Sequence, residues 1–118
     1  MLALTVFARI LIHVPSIDFR KGRRSLAVYV QTVLSEDPFS KTLFLFCNKR
    51  KDCIKALYWD RTGFAMWEKE LEEQKFRWPR KSDQQCISLT SEQLCWLLDG
   101  IDISKLKPHK ELKYYLLL

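Results

Sequence analysis

The segment Thr42 to Cys47, TLFLFC, constrains this chain more than any other stretch. It is an uninterrupted apolar and aromatic run of strand length. Such a run predicts a central strand covered on both faces.

The flanking segments extend that reading. Asn48 to Asp52 (NKRKD) is a polar turn, and Cys53 to Trp59 (CIKALYW) predicts the next strand. Asp60-Arg61-Thr62-Gly63 has Asp first and Gly fourth, which suits a type I turn. Phe64 to Leu71 predicts a third strand, with Ala65, Trp67 and Leu71 on one face. After a turn at Glu72-Glu73-Gln74, charge alternates with aromatic over Lys75-Phe76-Arg77-Trp78, so Phe76 and Trp78 should point inward. Pro79 stops pairing or marks an edge. Phe7 to Val14 and Cys86 to Leu89 predict two further short strands.

Two segments carry helical periodicity. Leu26, Ala27, Val30, Val33 and Leu34 recur on one face of a helix spanning about 23–35. Ser16 or Asp18 is placed to cap its start, and Glu36-Asp37-Pro38 ends it. Thr90-x-x-Gln93 fits a capping box. It opens a short helix over about 91–99, with Leu94, Leu97 and Leu98 apolar and Gly100 where a C-terminal glycine belongs. Short strands joined by short turns predict antiparallel pairing. The expected fold is therefore α+β: an antiparallel β-meander of four to six short strands, one main helix on a face, and a short C-terminal helix.

With 118 residues, 47% of them hydrophobic, the chain reads as one domain with a real core. The expected division is a single domain over 1–104 and a basic C-terminal tail over 105–118. No apolar run is long enough to span a membrane. The apolar start, Met1 to Val14, carries Arg9 and lacks a basic leader and a cleavage site, so it reads as structure rather than as a signal peptide. Cys47, Cys53, Cys86 and Cys95 show no CxxC spacing, which predicts reduced, buried thiols and no metal site. A cytoplasmic protein without a cofactor follows.

The charge is uneven. Lys and Arg total 20 against 14 Asp and Glu, a formal net charge of +6. Arg20, Lys21, Arg23 and Arg24 crowd the start of the main helix. Lys49, Arg50 and Lys51 occupy a hairpin tip, with Lys55 and Arg61 close behind. Lys75, Arg77, Arg80 and Lys81 form a third group. Glu68, Glu70, Glu72 and Glu73 gather elsewhere. Cations at a helix start are mildly unfavourable unless an anion arrives. Free backbone N–H groups beside Arg and Lys suit phosphate. The candidate nucleic-acid contacts are Arg20, Lys21, Arg24, Lys49, Arg50, Lys51, Lys55 and Arg61. An acidic protein partner would explain the same charge.

Catalytic signals are weak. Asp18, Asp52 and Asp60 could in principle hold a metal for a nuclease reaction, but Asp is also favoured at turns for local hydrogen bonding. His13 and His109 have no nucleophile at a telling spacing, and His13 reads as a strand residue. No P-loop, GxGxxG or GxSxG occurs. Trp59, Trp67, Trp78 and Trp96 could stack bases, yet aromatics alternating along strands usually form core.

Several blocks together resemble a known family. These are Asp18-Phe19-Arg20-Lys21-Gly22; Leu43-Phe44-Leu45-Phe46; and Lys49-Arg50-x-Asp52-x-Ile54-Lys55-x-Leu57-x-Trp59-Asp60-x-x-Gly63-Phe64. Lys69-x-Leu71-Glu72 and Phe76-x-Trp78-Pro79 follow, then Leu89-Thr90-x-x-Gln93-Leu94-x-Trp96-Leu97-Leu98-x-Gly100-Ile101-Asp102. In this order they resemble the Orf2-like accessory proteins (TnpB type) of bacterial insertion sequence family sixty-six. Ser25, Glu70 and Gln74 depart from that family's usual glycine, basic residue and glycine. The resemblance implies a non-enzymatic accessory role in DNA transposition. The partners it implies are DNA and the element's separate transposase, and it carries no catalytic residues over.

Overall fold

The computed structural model describes residues 4–80 and 84–103. The expected tail over 105–118, Lys81 and His109 lie outside the described residues. A 3-10 turn at Leu4–Val6 precedes β1 (Arg9–His13), α1 (Arg23–Thr32), β2 (Thr42–Cys47), β3 (Cys53–Asp60), β4 (Gly63–Glu70), β5 (Cys86–Leu89) and α2 (Ser91–Leu98). The strands form one sheet in the order β4-β3-β2-β1-β5. This is the expected α+β arrangement, with five strands and two helices.

The meander holds for β2, β3 and β4, which pair antiparallel in sequence order. β1 departs from it, because it pairs parallel to β2 with Arg9 opposite Thr42 and Ile12 opposite Leu45. The physical reason is α1. A helix between two strands carries the chain back along the sheet, so the second strand runs in the direction of the first. β5 closes the other flank of β1 in antiparallel register, Ile10 opposite Leu89 and His13 opposite Cys86.

β2 is buried at all six residues, as its composition demands. Phe44 and Phe46 face α1, where they meet Leu11, Leu57, Leu26, Ala27 and Val30. Leu43, Leu45 and Cys47 face the other way, toward Phe76, Trp78, Leu94 and Leu97. Each fully buried large side chain contributes about 1.5–3 kcal/mol of hydrophobic free energy. The segment 71–80 and α2 thus form the second cover. Phe76 and Trp78 point inward as expected, although their segment is extended chain outside the sheet.

Three local expectations change. First, α1 ends at Thr32 rather than near residue 35: Val33 is 50% exposed and Ser35 adopts φ 55°. Only Leu34 of that last pair packs on the core. Second, neither Ser16 nor Asp18 caps α1. Its N-cap is Gly22, with no side-chain hydrogen bond. Asp18 instead closes a local turn by accepting the Arg20 amide at 2.9 Å. Third, the Asp60–Gly63 hairpin is not type I, since Arg61 has φ 50°. Two-residue loops between right-twisted strands favour a positive φ at that position, which type I turns lack.

α2 follows its sequence closely. Thr90 Oγ1 accepts the Gln93 amide at 3.1 Å, and Gln93 Oε1 accepts the Thr90 amide at 2.9 Å. Gly100 takes φ 84°, in the left-handed region that favours glycine after a helix.

Candidate nucleic-acid interface

The topology decides which cations meet. Because β1 and β2 are parallel, the loop after β1 and the hairpin after β2 leave from the same end of the sheet. β4 runs parallel to β2 and delivers segment 71–80 to that end too. Backbone hydrogen bonds tie the three together. The Ile17 amide donates to Cys47 O at 3.0 Å, and the Leu71 and Phe76 amides donate to Asp52 O and Lys51 O at 2.7 Å. Arg20, Lys21, Arg24, Lys49, Arg50 and Lys51 therefore share one end.

The helix start at this end is open. Gly22 offers no side-chain cap, and the first turn holds no acidic residue. It holds Arg23 and Arg24 instead. Cations there oppose the positive end of the helix dipole, and the first-turn N–H groups lack a side-chain acceptor. Arg20 is already paired within the loop. Its guanidinium donates to Asp18 at 2.6–3.1 Å, which holds the Asp18 carboxyl down at about 2. A phosphate arriving there would have to compete with Asp18 for that group.

The hairpin tip is built around Asn48. Asn48 Oδ1 accepts the amides of Asp52 and Cys53 at 3.1 Å, and its Nδ2 donates to Asp52 Oδ1 at 2.6 Å. Lys51 takes the left-handed φ of 63° that closes the loop. Lys49 and Arg50 are exposed at its tip. Arg50 Nε lies 3.8 Å from Asp52, a loose pair.

Lys55 and Arg61 stand apart. Lys55 is 9% exposed, and its Nζ donates to Phe19 O at 2.9 Å and Lys21 O at 3.4 Å, above the Phe19 ring. It anchors the loop that carries Arg20 and Lys21. Arg61 sits at the opposite end of β3, whose eight residues span about 25 Å. That separation applies equally to Asp52 and Asp60, so the two cannot share a metal ion. Among the described residues no group of three or more His, Cys, Asp or Glu side chains is placed to hold one.

Other residues fall into the core. His13 is buried in β1 with its Nε2 2.9 Å from the Tyr29 hydroxyl, and burial pushes its pKa down. Trp78 is buried and donates its Nε1–H to His13 O at 2.9 Å. Trp67 and Trp96 pack on the same cluster. All four cysteines are free, but only Cys47 and Cys53 are buried; Cys95 is exposed. Burial raises Cys47 to about 11, and burial with Glu68 beside it raises Cys53 to about 12. At the far end Phe39, Trp59 and Phe64 cluster with ring centroids 4.8–5.4 Å apart, and Phe39 is 53% exposed. No periodicity in the sequence marks that cluster.

Fold and interface together define a small α+β domain that gathers cations at one end of its sheet. A family model described as IS66 Orf2 like protein matches residues 8–108. The chain belongs to this family of transposition-associated accessory proteins. It is 32% identical over 99 residues to the uncharacterized protein y4jC of Sinorhizobium fredii, covering 84% of each chain. It is 35% identical over 85 residues to the uncharacterized protein y4hO of the same organism, covering 72% of this chain and 73% of that one. No solved structure matches. No helix among the described residues is long and apolar enough to cross a membrane.

Proposed function

We propose that this protein is a non-enzymatic accessory factor for transposition of an insertion sequence, acting in the bacterial cytoplasm. Its basic end contacts the phosphates of the element's DNA beside the separate transposase. One observation carries this reading: six of the eight candidate cations converge on the same end of the sheet, around a helix start with no side-chain cap. Arg20, Lys21, Arg24, Lys49, Arg50 and Lys51 are the proposed contacts. Lys55 positions the loop that presents two of them, and Arg61 stands outside the footprint.

Phosphate contacts of this kind release counterions, so affinity should fall steeply with salt. The test is a salt-series titration of the purified protein on duplexes carrying the element's terminal repeats. Binding at low salt, with a log–log slope shallower by about 2 in Lys49→Glu/Arg50→Glu, is the expected result. Absence of any shift at low salt, with and without the transposase, sinks the DNA reading.

A further inference from the structure

Lys75, Arg77 and Arg80 of the third cationic group, absent from the proposed DNA footprint, line a groove that reaches Lys51 at one side. The groove, of about 1360 Å³, lies between the extended segment 71–80 and the C-terminal end of α2. Its half-buried lining includes the apolar Leu71, Pro79, Ile87 and Leu98 beside the charged Lys51 and Asp102. Its exposed lining includes Lys75, Arg77 and Arg80. Asp99 and Asp102 lie at the helix end of the same groove. The walls are held in place. Phe76 and Trp78 are buried between the exposed cations, and the Phe76 amide is tied to Lys51 O.

From this geometry we infer that the groove is a docking site for an acidic, amphipathic segment of a partner protein. Charge complementarity and the apolar lining select that occupant. A nucleic-acid backbone carries a negative charge at every nucleotide. Along this groove it would meet exposed Asp99 and the carbonyl end of α2, both of which repel phosphate. A peptide escapes this conflict. Its apolar side chains cover Leu71, Ile87 and Leu98, while spaced carboxylates meet Lys75, Arg77 and Arg80. Extended segments present alternate side chains to opposite sides, which suits a lining apolar below and cationic at the rim. The inference goes beyond the DNA contact, since Lys75, Arg77 and Arg80 lie outside that footprint and only Lys51 borders both. A protein of this design would hold DNA at the rim of the sheet and a protein partner on the face covered by α2.

The test is fluorescence anisotropy with the full chain and three labelled peptides of about 12 residues, a length matched to strand-type docking. One alternates Glu with Leu, one Lys with Leu and one Glu with Ser. The Glu/Leu peptide should bind at least about tenfold more tightly than either control, and Arg77→Glu/Arg80→Glu should remove that preference. Both arginines are exposed, and an unchanged melting temperature confirms that the variant folds. Lys49→Glu/Arg50→Glu should leave peptide binding intact while weakening DNA, so failure of one reading leaves the other standing. Equal binding of the Lys/Leu or Glu/Ser peptide overturns the proposal. So does displacement of the Glu/Leu peptide by a duplex at a concentration that saturates the DNA site, which would assign the groove to DNA.

Discussion

The two hairpins of β3 look alike in sequence and differ in what the fold does with them. Each has a cation in the left-handed region, Lys51 at φ 63° and Arg61 at φ 50°. The first turn is embedded. Asn48 braces it from within, and Leu71 and Phe76 donate to it from the segment that covers the core. The second is flanked by an exposed aromatic, Phe39, and its exposed Arg61 joins no other candidate contact. The fold holds the first cationic turn and brings further cations alongside it, which is why the proposed interface lies there. The charge of the turn alone does not decide this.

If this contrast is right, the largest effect comes from cutting the embedded hairpin's support. Trp78→Ala removes a buried ring and the hydrogen bond to His13 O. It should cost about 3–5 kcal/mol in urea unfolding, in line with large-to-small changes in cores. The same substitution at half-exposed Trp59 should cost clearly less. Equal losses would mean that both ends are equally built in.

A smaller effect separates the turns themselves. Asn48→Ala leaves the Asp52 and Cys53 amides without their acceptor and should cost about 1–3 kcal/mol. Thr62→Ala in the other turn should stay within about 0.5 kcal/mol. Chemical denaturation of the pair checks this. Lys55→Met comes next. It leaves the Phe19 and Lys21 carbonyls unpaired, at about 1–2 kcal/mol, and frees the loop bearing Arg20 and Lys21. On the proposed reading DNA affinity should fall with it through the loop rather than through a direct Lys55 contact, whereas Arg61→Glu should change affinity least of the cation variants.

The smallest effect is a pH dependence. Asp18 is held at about 2 in the fold by Arg20, below its ordinary value. A depressed carboxyl contributes stability that is present above its unfolded value and disappears as the folded group protonates. Wild type and Asp18→Asn should therefore differ most near neutral pH and converge between about pH 4 and 2. Melting temperatures measured across that range give the comparison. A difference that persists below pH 2 would rule out the ion pair as its cause.

Much of this fold was legible because its signals are local. TLFLFC announced a doubly covered strand, and it is one. Thr90, Gln93 and Gly100 marked both ends of α2. Phe76 and Trp78 alternate with charge, the pattern of inward-facing side chains, and both are buried. What escaped was non-local. Asp18 resembled a cap in one dimension, but Arg20 two residues away claims its carboxylate. Lys55 resembled its basic neighbours, yet register turns it under the loop before α1. Phe39 is displayed by an Asp37 turn after the helix, where no hydrophobic period applies.

The chain by itself determined the element types, most of the buried faces and the presence of three cationic groups, since each depends on spacing within a few residues. The tertiary structure alone decided that β1 runs parallel to β2. That pairing places the start of α1 at the same end as the first hairpin, where the β2–β3–β4 register also delivers segment 71–80. Arg61 lies about 25 Å away, because eight residues of extended chain separate the two turns of β3.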